Sequence, residues 1–257
     1  MLAGVFQSAS GTLTPDERLE RLAGALVREP VDLVVCPELF ASGYNVGEQL
    51  GSRAEAADGP FSRKMAELAR TSGTAIVYGY PERVGATLYN AASCINRQGQ
   101  RVASRRKLLL PPGFEAQVFS PGNGSVSVFS IDGVRCAILI CYEVEFPEAV
   151  RAVASAGADV VVVPTALAAQ WHSVAHRLIP TRAFENGVWV LYANHAGEEN
   201  GLSYLGASCI VAPDGTDVAR AGDGETLVSA RIDLDEVEAA RLRLPYLADV
   251  TQLRSKL

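Results

Sequence analysis

No apolar run in this chain approaches the roughly 20 residues needed to cross a bilayer as a helix, so a membrane-spanning segment is not expected. The opening stretch, MLAGVFQSAS, has no basic flank before its brief apolar run, which argues against a secretory leader. Positive charge is in short supply. Against 29 Asp and Glu there are 23 Lys and Arg, and the net charge of −6 gives no general footprint for nucleic acid or an anionic membrane. The five cysteines (36, 94, 136, 141 and 209) are odd in number and nowhere spaced as CxxC. That argues against a disulfide framework or a zinc ribbon and for a reducing, cytoplasmic setting. Linkers, low-complexity segments and internal repeats are missing as well. What remains is an ordinary globular composition, 48% hydrophobic and 20% charged. Its 257 residues can bury a large core, and one domain spanning 1–257 is expected.

Strands and helices interleave along it. Leu2 to Phe6 is a short apolar strand. Thr14-Pro15-Asp16-Glu17 then opens a helix, with Thr14 as N-cap, Pro15 at the first helical position and Glu17 completing a capping box. Leu19, Leu22 and Leu26 mark its apolar stripe. Val31 to Cys36 reads as a buried strand, Phe61 to Thr71 as a helix and Ala75 to Tyr80 as a strand. Tyr89 to Asn96 and Arg101 to Leu109 read as a hairpin turned at 97–100. The strand Val134 to Ile140 is followed by a helix from Pro147 to Ser155, a strand from Asp159 to Pro164 and a helix over His172 to Asn186. Strands at Val188 to Asn194, Ala207 to Ala212 and Leu227 to Ile232 precede a helix from Asp233 to Leu242. The pattern predicts an α/β fold whose helices cover the outer faces of the sheet.

Three apolar stretches run into a residue with chemistry. Glu38 follows Leu33-Val34-Val35-Cys36-Pro37, Lys107 lies in SRRKLLL, and Cys141 ends the strand from Val134. A carboxylate and a lysine beside runs this apolar are costly unless paired. Each alone also reads as a solvated strand end, and Cys141 alone as a buried structural thiol. An acid, a base and a thiol together point to a site at strand ends, where open α/β sheets hold their chemistry.

CPELFASGY around Glu38, SRRKLLLP around Lys107 and ICYEVEFPE around Cys141 resemble, in that order, the motifs of the nitrilase superfamily of carbon–nitrogen hydrolases. LYNAA (88–92), FSPGN (119–123) and RAFEN (182–186) extend the resemblance over nearly the whole chain. It implies a four-layer α-β-β-α sandwich, a Glu38–Lys107–Cys141 triad and a second glutamate at Glu115. GYNVG (43–47), EAADGP (55–60), IVYGYPER (76–83) and PYLAD (245–249) are most similar to short aliphatic amidases such as 5-aminopentanamidase. Pro111-Pro112-Gly113-Phe114 departs from that pattern in a loop that shapes the pocket of relatives. Relatives associate through helical faces, so a homodimer or larger assembly is implied.

The chemistry so implied is hydrolysis of a small aliphatic carboxamide, plain or amine-bearing, to its acid and ammonia. Cys141 would attack, Glu38 would move the protons, Lys107 and the Tyr142 N–H would hold the oxyanion, and Glu115 would position amide and lysine. No metal or organic cofactor is called for. Tyr44, Tyr142, Glu143, Thr165 and Trp171 are the candidate substrate-binding residues, Glu143 as a partner for a substrate ammonium. Glu145 is weighed for that same role but expected in an ion pair with Arg151 or Arg182. Other readings are a papain-like Cys141–His195 pair and a zinc site on His172 and His176, whose helix lacks the glutamate such motifs carry. The carbamoylase and nitrilase branches, and an inactive metabolite-binding scaffold, complete the alternatives.

Overall fold

Valine-rich strands with no polar alternation must be covered on both faces. The computed structural model describes residues 1–256 and meets this need with two stacked sheets, each carrying helices on its outside. The first sheet contains β1 (Leu2–Ala9), β2 (Leu33–Val35), β3 (Ala75–Val84), β4 (Thr87–Ile95), β5 (Arg101–Arg106), β10 (His195–Glu199), β11 (Leu202–Leu205) and β14 (Thr226–Arg231). The second contains β6 (Phe129–Ile131), β7 (Val134–Ile138), β8 (Val160–Pro164), β9 (Trp189–Ala193), β12 (Cys209–Val211) and β13 (Asp217–Arg220). Their orders are β11-β10-β1-β2-β3-β4-β5 and β13-β12-β9-β8-β7-β6. One edge of β1 is shared: β14 pairs antiparallel with Leu2–Gln7, and β10 takes over in parallel at Ser8 and Ala9.

Side-chain alternation builds the layers. Leu33 and Val35 of β2 face Val160 and Val162 of β8 across the gap between the sheets, with Cys94 and Cys136 in the same core. Val34 and Cys36 turn outward onto Leu22 and Leu26 of α1 (Pro15–Arg28) and Met65 and Ala69 of α3 (Pro60–Ser72). Val161 and Val163 turn outward onto α5 (Pro147–Ser155) and α6 (Ile179–Asn186). The order is helix, sheet, sheet, helix, as expected. Smaller helices are α2 (Gln49–Arg53) and α4 (Phe114–Val118); α7 (Leu234–Arg243) and α8 (Tyr246–Arg254) follow the last strand. The capping box of α1 is present: Glu17 N–H donates to Thr14 Oγ1 at 3.2 Å and Thr14 N–H to Glu17 Oε2 at 2.7 Å. Among the described residues no helix is long and apolar enough to cross a membrane.

Several boundaries differ from the sequence expectation. The strand expected at Ala75–Tyr80 continues to Val84 and turns at Gly85 (φ +59°) into β4, so the expected hairpin is the second half of a three-strand meander. Its last strand stops at Arg106, before Lys107. The helix expected over 172–186 is broken, because Pro180 has no N–H to continue the ladder. A wide π-type turn at Val174–Leu178 absorbs this, closed by the Ile179 N–H bonding to Val174 O, before α6 begins. The β10–β11 hairpin is polar along much of its length and left no apolar signal in the sequence.

Candidate active site

Glu38, Lys107 and Cys141 all lie just past the carboxyl ends of strands: β2, β5 and β7. The Glu38 backbone is pinned from three sides. Its N–H donates to Thr165 O at 3.2 Å, its carbonyl bonds His195 Nε2 at 2.8 Å, and the flanking Pro37 O accepts the Gly79 N–H at 3.2 Å. Gly79 is required by this close approach, since a Cβ there would stand 2.4 Å from Leu39 N. Lys107 is fixed by its N–H to Asn90 O and by its carbonyl accepting from Gly122, both at 2.8 Å. Glu115 arrives on α4.

These groups form one fully buried cluster. Lys107 Nζ donates to Glu38 Oε1 at 2.6 Å and to the two Glu115 oxygens at 2.7 and 2.8 Å. Asn90 Nδ2 bridges the same carboxylates, at 2.7 Å to Glu38 Oε1 and 2.9 Å to Glu115 Oε2. Tyr44 OH donates to Glu115 Oε1 at 2.7 Å. Glu38 Oε2 is buried and has no partner among the described residues. Two carboxylates thus share one ammonium, with an acceptor oxygen left over.

Cys141 is the first residue of a short 3₁₀ turn, Cys141–Glu145, and has φ +46°. That left-handed backbone is costly for a residue with a Cβ and holds the thiol out of the strand direction. The Tyr142 N–H lies in the first turn, where no intrahelical acceptor is available. Cys141 borders a cavity of about 610 Å³, together with Glu115, Tyr44, Tyr142, Glu145 and Trp171.

Burial is the largest influence on Glu38 and, with Glu115 close by, lifts its carboxyl to about 7 although Lys107 and Asn90 pull it down. Burial works against the Lys107 ammonium, but Glu38, Cys141 and Glu115 outweigh it and hold Lys107 above the ordinary lysine value. Burial and the Glu38 charge push the Cys141 thiol well up, against Lys107 and the Ala166 N–H. The resting pair is therefore a neutral thiol and a carboxylate that titrates near neutrality.

The family model for carbon–nitrogen hydrolases matches residues 3–242. The chain belongs to the carbon–nitrogen hydrolase family. It is 41% identical over 252 residues to a protein of Pseudomonas protegens described as "Hydrolase in pqqF 5'region", covering 97% of this chain and 88% of that one. It is 34% identical over 219 residues to an (R)-stereoselective amidase from Pseudomonas sp., covering 85% and 79%. Its fold superposes on the amidase of Nesterenkonia sp. AN1 with a TM-score of 0.84 at 31% identity, covering 100% of both chains. In another structure of that amidase, acrylamide has added to the active-site cysteine.

Placed in this carbon–nitrogen hydrolase, the expected site residues divide. Glu38, Lys107 and Glu115 come together, Cys141 shares the cavity with Glu115, and Tyr44, Tyr142 and Trp171 line the same space, Trp171 at the exposed rim. Three expectations are corrected. Glu143 is buried in a two-pronged pair with Arg105 (2.7 and 2.9 Å) and accepts the N–H groups of Ile140 and Leu108, so no oxygen is left for a substrate. Thr165 is buried away from the cavity, its hydroxyl bonded to Tyr192 OH at 3.1 Å and its carbonyl holding Glu38. Glu145 was expected in an ion pair, yet its carboxylate meets neither Arg151 nor Arg182 and instead lines the cavity. His195 does not bond Cys141. Its Nε2 is taken by the Glu38 carbonyl, and burial lowers its pKa to about 3, which keeps the ring neutral.

Asn90 was missed as a site residue, although LYNAA contained it. Glu199 was missed altogether. It accepts the N–H groups of Tyr44 and Asn45 at 3.0 and 2.6 Å while paired with the buried Arg18 at 3.1 Å, and so fixes the loop that presents Tyr44. A polar residue in a polar hairpin gives no sequence signal of that role.

Proposed function

We propose that this carbon–nitrogen hydrolase is an amidase that cleaves a small aliphatic carboxamide to carboxylic acid and ammonia through a Cys141 thioester. The observation that carries the reading is the Glu38–Lys107–Glu115 cluster, in which a carboxylate near pKa 7 keeps one oxygen free behind a cavity bordered by Cys141. Cys141 Sγ attacks the amide carbon as its proton passes to Glu38 Oε2. The carbonyl oxygen becomes the oxyanion, held by Lys107 and the Tyr142 N–H. Collapse breaks the C–N bond, and Glu38 returns the proton to nitrogen, releasing ammonia. Water then enters, loses a proton to Glu38 and attacks the thioester carbon. The C–S bond breaks, the acid leaves, and the sulfur recovers its proton from Glu38. Glu115, held by Tyr44 and Asn90, keeps Lys107 in place throughout.

Ammonia release from a plain aliphatic amide, an α-amino amide, an N-carbamoyl amino acid and a nitrile tests this, beside a Cys141→Ala control. Turnover of the amides is expected, lost in the control by roughly 10⁵–10⁶-fold, the scale of removing a covalent nucleophile. Turnover confined to the nitrile or the carbamoyl compound would overturn the amidase reading and assign a sister branch.

A further inference from the structure

One peptide group stands between the base and the nucleophile. β7 and β8 pair in parallel with Ile138 opposite Val162, so their ends leave the sheet side by side, one carrying Cys141 and the other Thr165-Ala166. The Thr165 carbonyl accepts the Glu38 N–H at 3.2 Å. The N–H of the same trans peptide, on Ala166, points the opposite way and bonds the Cys141 sulfur. Ala166 is buried and borders the cavity with Cys141, and no oxygen among the described residues accepts from its N–H. A buried N–H without an acceptor is rare, so the sulfur completes it.

Both sides of this peptide are held. The Thr165 N–H donates to Ala193 O at 2.8 Å. Beyond it, the fully buried Asn194, just past β9, closes on both polar groups of Leu167: Oδ1 accepts the Leu167 N–H at 2.8 Å, and Nδ2 donates to the Leu167 carbonyl at 3.2 Å. Nδ2 also donates to Gly206 O at 2.9 Å, and the Asn194 N–H donates to Ser208 Oγ at 2.8 Å. The Asn194 amide therefore fixes a backbone and has nothing left for a substrate. In the proposed cycle sulfur carries negative charge twice. It does so as its proton passes to Glu38 before the C–S bond is complete, and again when that bond breaks and the electron pair returns to sulfur. The Glu38 charge makes both moments costly. A fixed, neutral donor aimed at sulfur eases them.

We infer that the Ala166 N–H is a catalytic hydrogen-bond donor to the Cys141 sulfur, and that Asn194 is the positioning residue that aims it. This rests on the amidase reading for turnover but not for the reactivity of the thiol. Lactic acid incorporated in place of Ala166 makes the Thr165–Ala166 link an ester, which removes this N–H and keeps every side chain. Asn194→Ala removes the clamp instead. The readouts are kcat and KM for a plain aliphatic amide, and the rate of Cys141 alkylation by iodoacetamide against pH, located by mass spectrometry. The other four cysteines are buried. The ester should lower kcat and the alkaline plateau of the alkylation rate by about tenfold, the scale of one hydrogen bond to a charged group. KM should stay within about twofold, and the rise in alkylation should stay centred near pH 7, where Glu38 ionises. Asn194→Ala should lower the same two quantities by roughly fivefold, since the N–H remains but is no longer aimed. An ester variant with parental kcat and alkylation overturns the donor. A displaced midpoint, or a change in KM alone, overturns it too, because the peptide would then act through Glu38 or the cavity wall. Parental values in Asn194→Ala overturn the positioning role. Slower alkylation of the ester variant, with no amide turned over even by the parent protein, overturns the amidase reading and leaves the sulfur donor standing.

Discussion

Arg105, Arg106 and Lys107 are consecutive, and each meets glutamate, yet the first two build structure and the third builds a site. Arg105 grips Glu143, and Arg106 grips Glu82, each through two parallel bonds of 2.7–2.9 Å that use both carboxylate oxygens. One fork meets one carboxylate, charge cancels, and nothing is left over. Lys107 instead serves Glu38 and Glu115 together, so the buried cluster has one negative charge too many and one free oxygen. That surplus lifts Glu38 toward neutrality and fits it to move protons. A closed pair holds a turn in place; an open one can react.

The largest effect that separates the two regions is loss of the ammonium against loss of a fork. Lys107→Ala should lower kcat/KM by 10³-fold or more, since it removes the proposed oxyanion partner and leaves two buried carboxylates facing each other. It should also cost about 3–5 kcal/mol of stability, read from denaturant unfolding. Arg105→Ala should cost about 3 kcal/mol, because Glu143 would remain buried without its partner. Its effect on kcat/KM should stay near tenfold, transmitted only through the turn that Glu143 staples at Ile140 and Leu108. Equal losses of activity in the two variants would erase the distinction.

The pH profile sharpens the comparison further. In the proposed mechanism Glu38 must be ionised to accept the thiol proton, so kcat/KM should fall tenfold per unit below an apparent pKa of about 7. No alkaline limb from the thiol should follow in the neutral range, because Cys141 is pushed well up and Lys107 stays cationic. A bell-shaped curve with a low acid limb, the mark of a thiolate–imidazolium pair, would contradict this. Glu38→Gln should remove the limb along with the activity.

Much of this was legible in the chain, and the failures have a common cause. Apolar runs such as Leu33 to Cys36 and Asp159 to Pro164 located the central strands, Thr14 and Glu17 located the start of α1, and three motifs located Glu38, Lys107 and Cys141. These signals are local or nearly so. Partner choice is not local: Glu143 and Glu145 are two residues apart on one turn, and only the position of Arg105 on the facing strand decides which is neutralised. Glu143 is therefore the paired one and Glu145 the unpaired one, the reverse of the expectation. The positive φ of Cys141, Asn90 between the carboxylates and Glu199 behind the Tyr44 loop are likewise products of tertiary packing, as is the break before Pro180.

The smallest effect concerns what the open cluster costs the fold. Glu38 is lifted from 4.5 to about 7 in the folded protein, so folding favours its protonated form. Its contribution to stability is therefore full below pH 4.5, declines as pH rises, and is lost above about 7. A shift of that size corresponds to roughly 3 kcal/mol. Glu38→Gln keeps the shape and cannot ionise, while Lys107 retains Glu115 as its counter-ion. The variant should melt several degrees above the parent protein at pH 8, with the gap closing as pH falls toward 4.5. Arg105 and Glu143 provide the control. Their pair is neutral and closed, so Glu143→Gln should lower the melting temperature at pH 8 rather than raise it. If both variants melt lower at pH 8, the buried carboxylates are equivalent, and the surplus charge at Lys107 is not what sets Glu38 apart.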